Sequence, residues 1–279
     1  MSSIKPALQE AVLRARAAVN SAVDRRWDND PFGDRPHATR EEYLQLFEAA
    51  RRNRSDKIAE IEERVGYAVE SDWLDELALH TQIVKKKSEL CYDHGRLPYS
   101  LLRERIRTLD AGVVSVIETG TARGFSAICM SRAIQDSGVE GRIVSLDVLS
   151  HRRRQIWNCI DDLDGPKSRA EILEPWRSLS SRVVFLQSDT SYALPRVSLG
   201  RIHFAFLDAQ HTRSSVLFEF DVVASQQGPG DSVVFDDVTR SDFPGVVAAV
   251  EEIEASRPYR VDYVEVSPRR GYAWATRTS

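Results

Sequence analysis

VVSVIETGTARGFSA, residues 113–127, reads as a short apolar strand that runs into a glycine-containing turn and then into a helix, AICMSRAIQDSG. Towards the C-terminus the same alternation continues. GRIVSLD is a strand, and HRRRQIWNCIDDL is expected to be helical. RVVFLQSD and RIHFAFLD are strands, and SSVLFEFDVVASQQ is a helix. DSVVFDD is a strand, FPGVVAAVEEIEAS a helix, and YRVDYVEV and RRGYAWATR are two closing strands joined by a short link. Strands that read as continuous apolar runs and alternate with helices indicate an α/β fold with a doubly wound, mostly parallel sheet. The last two strands are expected to form an antiparallel hairpin.

Residues 1–110 show no comparable strand and are expected to form an N-terminal helical region, followed by a ligand-binding domain over 111–279. PALQEAVLRARAAVNSAV, REEYLQLFEAARRNRSDKIAEIEERVGYAV and SDWLDELALHTQIVKKKSEL have helical periodicity, with Ser71 and Asp72 as caps of the last. CYDHGRLPYS reads as a turn-rich link and LLRERIRTLD as a short helix. The helical region is expected to leave apolar surface for a second copy of the chain, making a homo-oligomer.

The composition narrows the function. A net charge of −4 argues against a general nucleic-acid binder, which would present a basic face. No apolar run is long enough to span a membrane, and the charged N-terminus does not read as a secretory signal. Three cysteines without metal-type spacing read as reduced thiols in a cytoplasmic protein.

In doubly wound sheets, ligands bind beyond the carboxyl ends of the strands. Gly120 and Gly124 let the first turn bend tightly and a ligand approach closely. Ala122 stands where a dinucleotide fingerprint has its second glycine, and Glu118 just before the turn would repel a pyrophosphate. Glu118 suits an ammonium or sulfonium charge instead. Asp147 ends the second strand, where a carboxylate can accept both ribose hydroxyls. A nucleoside with a positive end and no diphosphate is S-adenosylmethionine.

Two more apolar runs end on carboxylates: FLDAQH, residues 206–211, at Asp208, and VVFDD at Asp236 and Asp237. If those strands are neighbours, their tips lie ~5 Å apart. Two ionised carboxylates that close repel, and a hard divalent cation such as Mg²⁺ resolves the conflict with oxygen ligands. Taken singly, each acid also reads as a cap or an arginine partner, with Arg213 and Arg240 nearby. Asp237 joins Asp236 on a metal only if the chain leaves the strand there. His211, neutral near pH 7, is the candidate base.

The E-x-G-x-x-x-G-x-S motif after the first strand, the acid after the second and QSD after the third resemble the class I S-adenosylmethionine-dependent methyltransferases, over roughly residues 85–279. The resemblance implies a seven-stranded, Rossmann-like sheet with a reversed final hairpin. It implies that Glu118, Gly120 and Ser126, with Thr121 and Gly124 of the turn, hold the methionine end. Asp147 would hold the ribose, with Ser188 and Asp189 near the adenine; Asp189 also reads as a helix cap. The pattern Asp208, His211, Asp236, Asp237 is similar to that of metal-dependent O-methyltransferases of the macrolide sugar and catechol types. It implies three metal ligands, His211 as catalytic base, and a small-molecule hydroxyl as acceptor, such as a sugar of a natural product. Tyr92, His94, Arg96, Tyr99 and Trp157, with Trp176, are candidates to frame that acceptor, although residues 151–176 also read as a charged surface excursion. Two other readings are an NAD-linked oxidoreductase, which Ala122 and the carboxylates oppose, and a non-catalytic nucleoside-binding regulatory or scaffold protein.

Overall fold

The computed structural model describes residues 32–87, 89–109 and 112–279. The helix expected in PALQEAVLRARAAVNSAV lies outside the described residues. Among them, seven strands form one sheet: β1 (Val113–Thr119), β2 (Glu140–Asp147), β3 (Val183–Gln187), β4 (Phe204–Leu207), β5 (Ser232–Phe235), β6 (Tyr259–Ser267) and β7 (Arg270–Arg277). The order is β3-β2-β1-β4-β5-β7-β6. The first five strands are parallel, and β7 pairs antiparallel with both β5 and β6. The expected doubly wound sheet and closing hairpin are both present.

The long helices are α1 (Arg40–Arg52), α2 (Asp56–Val65), α3 (Ser71–Thr81), α4 (Asp93–Arg107), α5 (Phe125–Asp136), α6 (Arg213–Ala224) and α7 (Pro244–Ser256). Successive strand residues face opposite sides of the sheet. Phe204, Phe206, Val114 and Val116 join one apolar cluster with residues of α1 to α5. Ala205, Leu207, Val233 and Phe235 join the other, with residues of α6 and α7. The helices before residue 110 therefore share a core with the sheet, through Tyr43, Ile58, Leu74, Leu77 and Leu97. This differs from a helical region with little burial against the sheet.

Local chemistry sets the helix ends. Thr39 and Glu42 make a reciprocal capping box at the start of α1, and Ser55 caps α2, which stops at Gly66 with φ +78°. α3 begins after Glu70 with no side-chain cap, so Ser71 and Asp72 are inside the helix, and it ends at Thr81 rather than running on through the lysines. α4 begins at Asp93 and absorbs CYDHGRLPYS, despite its glycine and Pro98. Gly95 is there for contact: a Cβ would lie 2.7 Å from Cys129 Sγ and 2.8 Å from the Phe125 ring.

The helix expected over HRRRQIWNCIDDL is absent. The backbone N–H groups of Trp157 and Cys159 donate to the Asp162 carboxylate at 2.9 and 3.0 Å, an alternative to helical pairing. Gln155 pairs with Lys167 in an antiparallel bridge, and only Ile160–Asp164 forms a short 3₁₀ turn. No helix among the described residues is long and apolar enough to cross a membrane.

Candidate functional site

The turn after β1 is built by close approach. Gly120 has φ +89°, and a Cβ there would lie 2.0 Å from the carbonyl oxygen of Asp208. β1 and β4 can meet at their tips only because that Cβ is missing. Gly124 has φ +97°, and a Cβ would lie 2.9 Å from Leu173 Cδ1. Ala122 between them is also left-handed, with φ 45°.

Glu118 is completely buried, and its two oxygens accept from the hydroxyls of Ser126 and Ser145. Burial pushes its carboxyl up to about 7, against the pull of those two hydroxyls. Thr121 Oγ1 lies 2.6 Å from Ser145 Oγ, extending the same network. Glu118 thus stands one layer behind the cavity surface, with Ser126 between it and the cavity.

Gly120, Thr121, Ala122, Arg123, Phe125 and Ser126 line a cavity of about 160 Å³. Thr81 at the end of α3, with Gln82, Val84 and Lys86 from the segment after it, closes its other side, and His94 and Asp208 complete it. Arg123 ties the two walls, donating to Thr81 O and Trp157 O at 2.8 Å each. Neither Arg123 nor Lys86 has an acidic partner within ion-pair distance among the described residues, and burial lowers the pKa of both.

Asp147 sits beside the same turn and accepts from the N–H groups of Ala122 at 2.6 Å and Leu149 at 2.8 Å. Burial raises its pKa, and Arg169, 3.5 Å away, opposes that rise. Arg169 is 1% exposed and donates to the carbonyl oxygens of Ala122 (2.7 Å) and Leu149 (3.3 Å). Ser188 N donates to Asp147 O at 2.8 Å, next to this corner. Asp189 is the N-cap of the short helix Thr190–Ala193, accepting from Ser191 N at 2.8 Å.

The carboxylates converge one strand further along. Leu207 and Phe235 are partners in the β4–β5 ladder, so Asp208 and Asp236 follow side by side. Asp237 has φ 55°, and the chain leaves the strand there. Ligand atoms of Asp208, His211 and Asp237 lie within 4.8 Å of one another, as do those of His94, Asp208 and Asp236. Asp208 belongs to both groups. Asp236 Oδ1 is buried without a hydrogen-bond partner. Each group joins two carboxylates to one imidazole, and the unengaged buried oxygen of Asp236 fits a hard divalent cation.

His211 Nε2 lies 3.0 Å from Asp237 Oδ2 and 3.8 Å from Asp208 Oδ1. Asp208 and Asp237 push the imidazole up to about 10, so it holds its proton at neutral pH. That corrects the expectation of a neutral His211. Burial raises the Asp208 carboxyl, and the neighbouring Asp236 charge adds to the rise. His211 rests on the Phe243 ring, with centroids 4.3 Å apart.

The arginines expected as partners are elsewhere: Arg213 pairs with Glu252 and Arg240 with Glu251. The positive groups at the carboxylates are His211 and Arg270, with His94 as a hydrogen-bonding bridge between Arg270 and Asp236. His94 Nδ1 lies 3.0 Å from Asp236 Oδ2, and Arg270 Nη1 lies 2.7 Å from His94 Nε2. A guanidinium can only donate, so Nε2 accepts and the His94 proton sits on Nδ1, facing Asp236.

Of the residues expected to frame an acceptor, only His94 is at the site. Tyr92 is buried edge-on against Phe125, Arg96 pairs with Glu62, and Tyr99 donates to Asp136 at 2.8 Å. α4 turns these side chains into the helix layer. Trp157 is fully buried, with its indole N–H on Lys167 O at 2.7 Å, and Trp176 is also buried. Arg123, Arg169, Arg270 and Lys86 had no distinguishing signal in the sequence, where each sits in an ordinary charged or loop context.

Residues 117–238 match a family model described as "Methyltransferase domain". No curated protein matches the chain. The O-methyltransferase TomG from Streptomyces achromogenes, described as involved in tomaymycin synthesis and solved with SAM, superposes with a TM-score of 0.53 at 19% identity. The match covers 76% of this chain and 92% of that one. An O-methyltransferase from Bacillus cereus in complex with SAH gives 0.50 at 17% identity, over 81% and 92% of the two chains. The O-methyltransferase NovP gives 0.52 at 16% identity, over 75% and 99%. In fold, and through the methyltransferase domain over residues 117–238, this chain resembles the class I S-adenosylmethionine-dependent methyltransferases.

Proposed function

We propose that this chain transfers the methyl group of S-adenosylmethionine to a hydroxyl oxygen of a small molecule, with a divalent cation such as Mg²⁺ held by Asp208, Asp236 and Asp237. One observation carries the reading: Asp208 is at once a wall of the cavity under the glycine turn and a member of the carboxylate cluster. The donor and the metal-side acceptor would therefore meet at one residue, beside which the methyl group would pass from sulfur to the acceptor oxygen.

The residues divide the work. Gly120 and Ser126 would receive the methionine end, with Glu118 behind Ser126. Arg123 and Lys86, which have no acidic partner within ion-pair distance among the described residues, would face its carboxylate. Asp147 keeps a second lone pair on each oxygen for the ribose hydroxyls. A bound cation would supply a lower pKa for the acceptor hydroxyl. A bound cation would draw on the same carboxylates and loosen their hold on His211, leaving the imidazole free to accept the hydroxyl proton. The acceptor oxygen forms its bond to the methyl carbon while the carbon–sulfur bond breaks, its electron pair returning to sulfur. The products are a methyl ether and S-adenosylhomocysteine. The chain's main contribution is alignment of the two reactants and exclusion of water. A sugar hydroxyl of a natural product is the proposed acceptor class. A non-catalytic nucleoside binder would leave the three converging aspartates without a role.

Calorimetry with S-adenosylhomocysteine, and a mass-spectrometric acceptor screen with Mg²⁺ or EDTA, test the proposal. Asp236→Asn is expected to bind S-adenosylhomocysteine like the wild type and to transfer no methyl group. Transfer undiminished in EDTA would sink the metal assignment. Absence of S-adenosylhomocysteine binding would sink the whole reading.

A further inference from the structure

The carboxylate cluster carries its own positive charge. Arg270, the first residue of β7, has a side chain only 13% exposed. Its Nη1 lies 3.8 Å from Asp236 Oδ1 and 3.8 Å from Asp237 Oδ1. Neither distance is a hydrogen bond. The same nitrogen spends its hydrogen bond on His94 Nε2, at 2.7 Å. The guanidinium therefore lends charge to both carboxylates without occupying their lone pairs, and Asp236 Oδ1 stays unengaged.

Arg270 is also fastened to the loop it serves. Val238 N donates to Gly271 O at 2.9 Å, Ser241 Oγ donates to Pro268 O at 3.0 Å, and Arg269 pairs with Asp242 at 2.9 Å. A Cβ on Gly271 would lie 2.6 Å from Val238 O, so the hairpin and the loop after Asp237 touch backbone to backbone. The backbone that bears Arg270 is fixed to the backbone that follows the two aspartates.

We propose that Arg270 is a resident counter-charge that sets the affinity of Asp208, Asp236 and Asp237 for a divalent cation. By attraction it holds Asp236 and Asp237 in place, and by repulsion it keeps the ion's binding weak. The proposal rests on the metal reading above. A divalent ion held by Asp236 and Asp237 lies within a side chain's reach of the guanidinium. At that range, and largely out of water, two positive charges repel with little screening.

The test is titration of Mn²⁺ into the whole protein, read by calorimetry and by the electron-spin resonance of free Mn²⁺. Arg270→Met is expected to bind Mn²⁺ about tenfold more tightly or better, because a repelling charge is gone. Arg270→Lys, which keeps the charge, is expected to stay within about threefold of the wild type. Arg270→Gln serves as a second neutral variant if Arg270→Met does not melt cooperatively. Neutral variants that bind Mn²⁺ no more tightly than the wild type overturn the proposal and leave Arg270 as a prop for His94. Asp236→Asn separates the two layers of inference. If wild-type binding is lost in Asp236→Asn, the ion occupies this cluster and the Arg270 comparison is decisive. If wild type and Asp236→Asn bind Mn²⁺ alike, or neither binds, the metal reading falls and this proposal with it.

Discussion

Glu118 is a fully buried carboxyl group with two hydroxyl donors, and its protonation should be visible in stability. Burial raises its pKa from 4.5 to about 7. A carboxyl raised on folding contributes stability that is fully present below about 4.5 and is lost as pH rises through about 7. The size of that loss is about 3 kcal/mol. Glu118→Gln cannot ionise, so its melting temperature relative to the wild type should climb between pH 5 and pH 8. A difference that stays constant across that range would show Glu118 ionised in the fold throughout. Among the site residues, Asp208, Asp236 and Asp237 were legible in the sequence because a strand ending on a charge is costly and needs a reason. Arg169 and Arg270 were not. A guanidinium in a charged stretch reads the same whether it is solvated or buried under a tryptophan, and only the fold decides which. The protonation state of His211 was illegible for a related reason, since it depends on two carboxylates that reach it across space.

At the scale of elements, the alternation of strands and helices was readable because each buried strand is a continuous apolar run. Strand order was not, because every run looks alike. The helix α4 was hidden by Gly95 and Pro98, which ordinarily signal a break; Gly95 answers to Cys129 and Phe125 on α5 instead. The stretch before Asp162 has apolar spacing compatible with a helix, but the Asp162 carboxylate takes the N–H groups a helix would use. The joint between β1 and β4 gives a sharp test. Gly120→Ala places a methyl group 2.0 Å from Asp208 O in a left-handed conformation. Both the strain and the overlap act on one backbone, and a loss of roughly 2–4 kcal/mol in urea unfolding is expected, with Asp208 displaced. A variant as stable as the wild type would mean that the two strand tips are further apart.

For the whole molecule, the described helices before residue 110 bury their apolar faces in the common core, which leaves less surface for a second copy than their amphipathic sequence suggests. Leu44 is 42% exposed on α1, beside a groove lined by Arg40, Gln45, Glu48 and Arg52. We propose self-association through that face. Sedimentation at micromolar concentration should give a dimer that Leu44→Glu dissociates, and a wild-type monomer would remove the idea. The strand order has a further consequence, for the chain during its synthesis. β7 comes later in sequence than β6 yet lies inside it, against β5. Until β7 has emerged and slotted in, β5 presents the unpaired N–H and C=O groups of a four-residue strand, Ser232–Phe235, apolar but for its first residue and buried throughout in the finished fold. Such an edge invites pairing with another unfinished chain. A polypeptide that stops short of Arg270 therefore lacks more than one arginine: it is left with an open seam between β5 and the edge strand β6, and aggregation is the natural fate of an open seam.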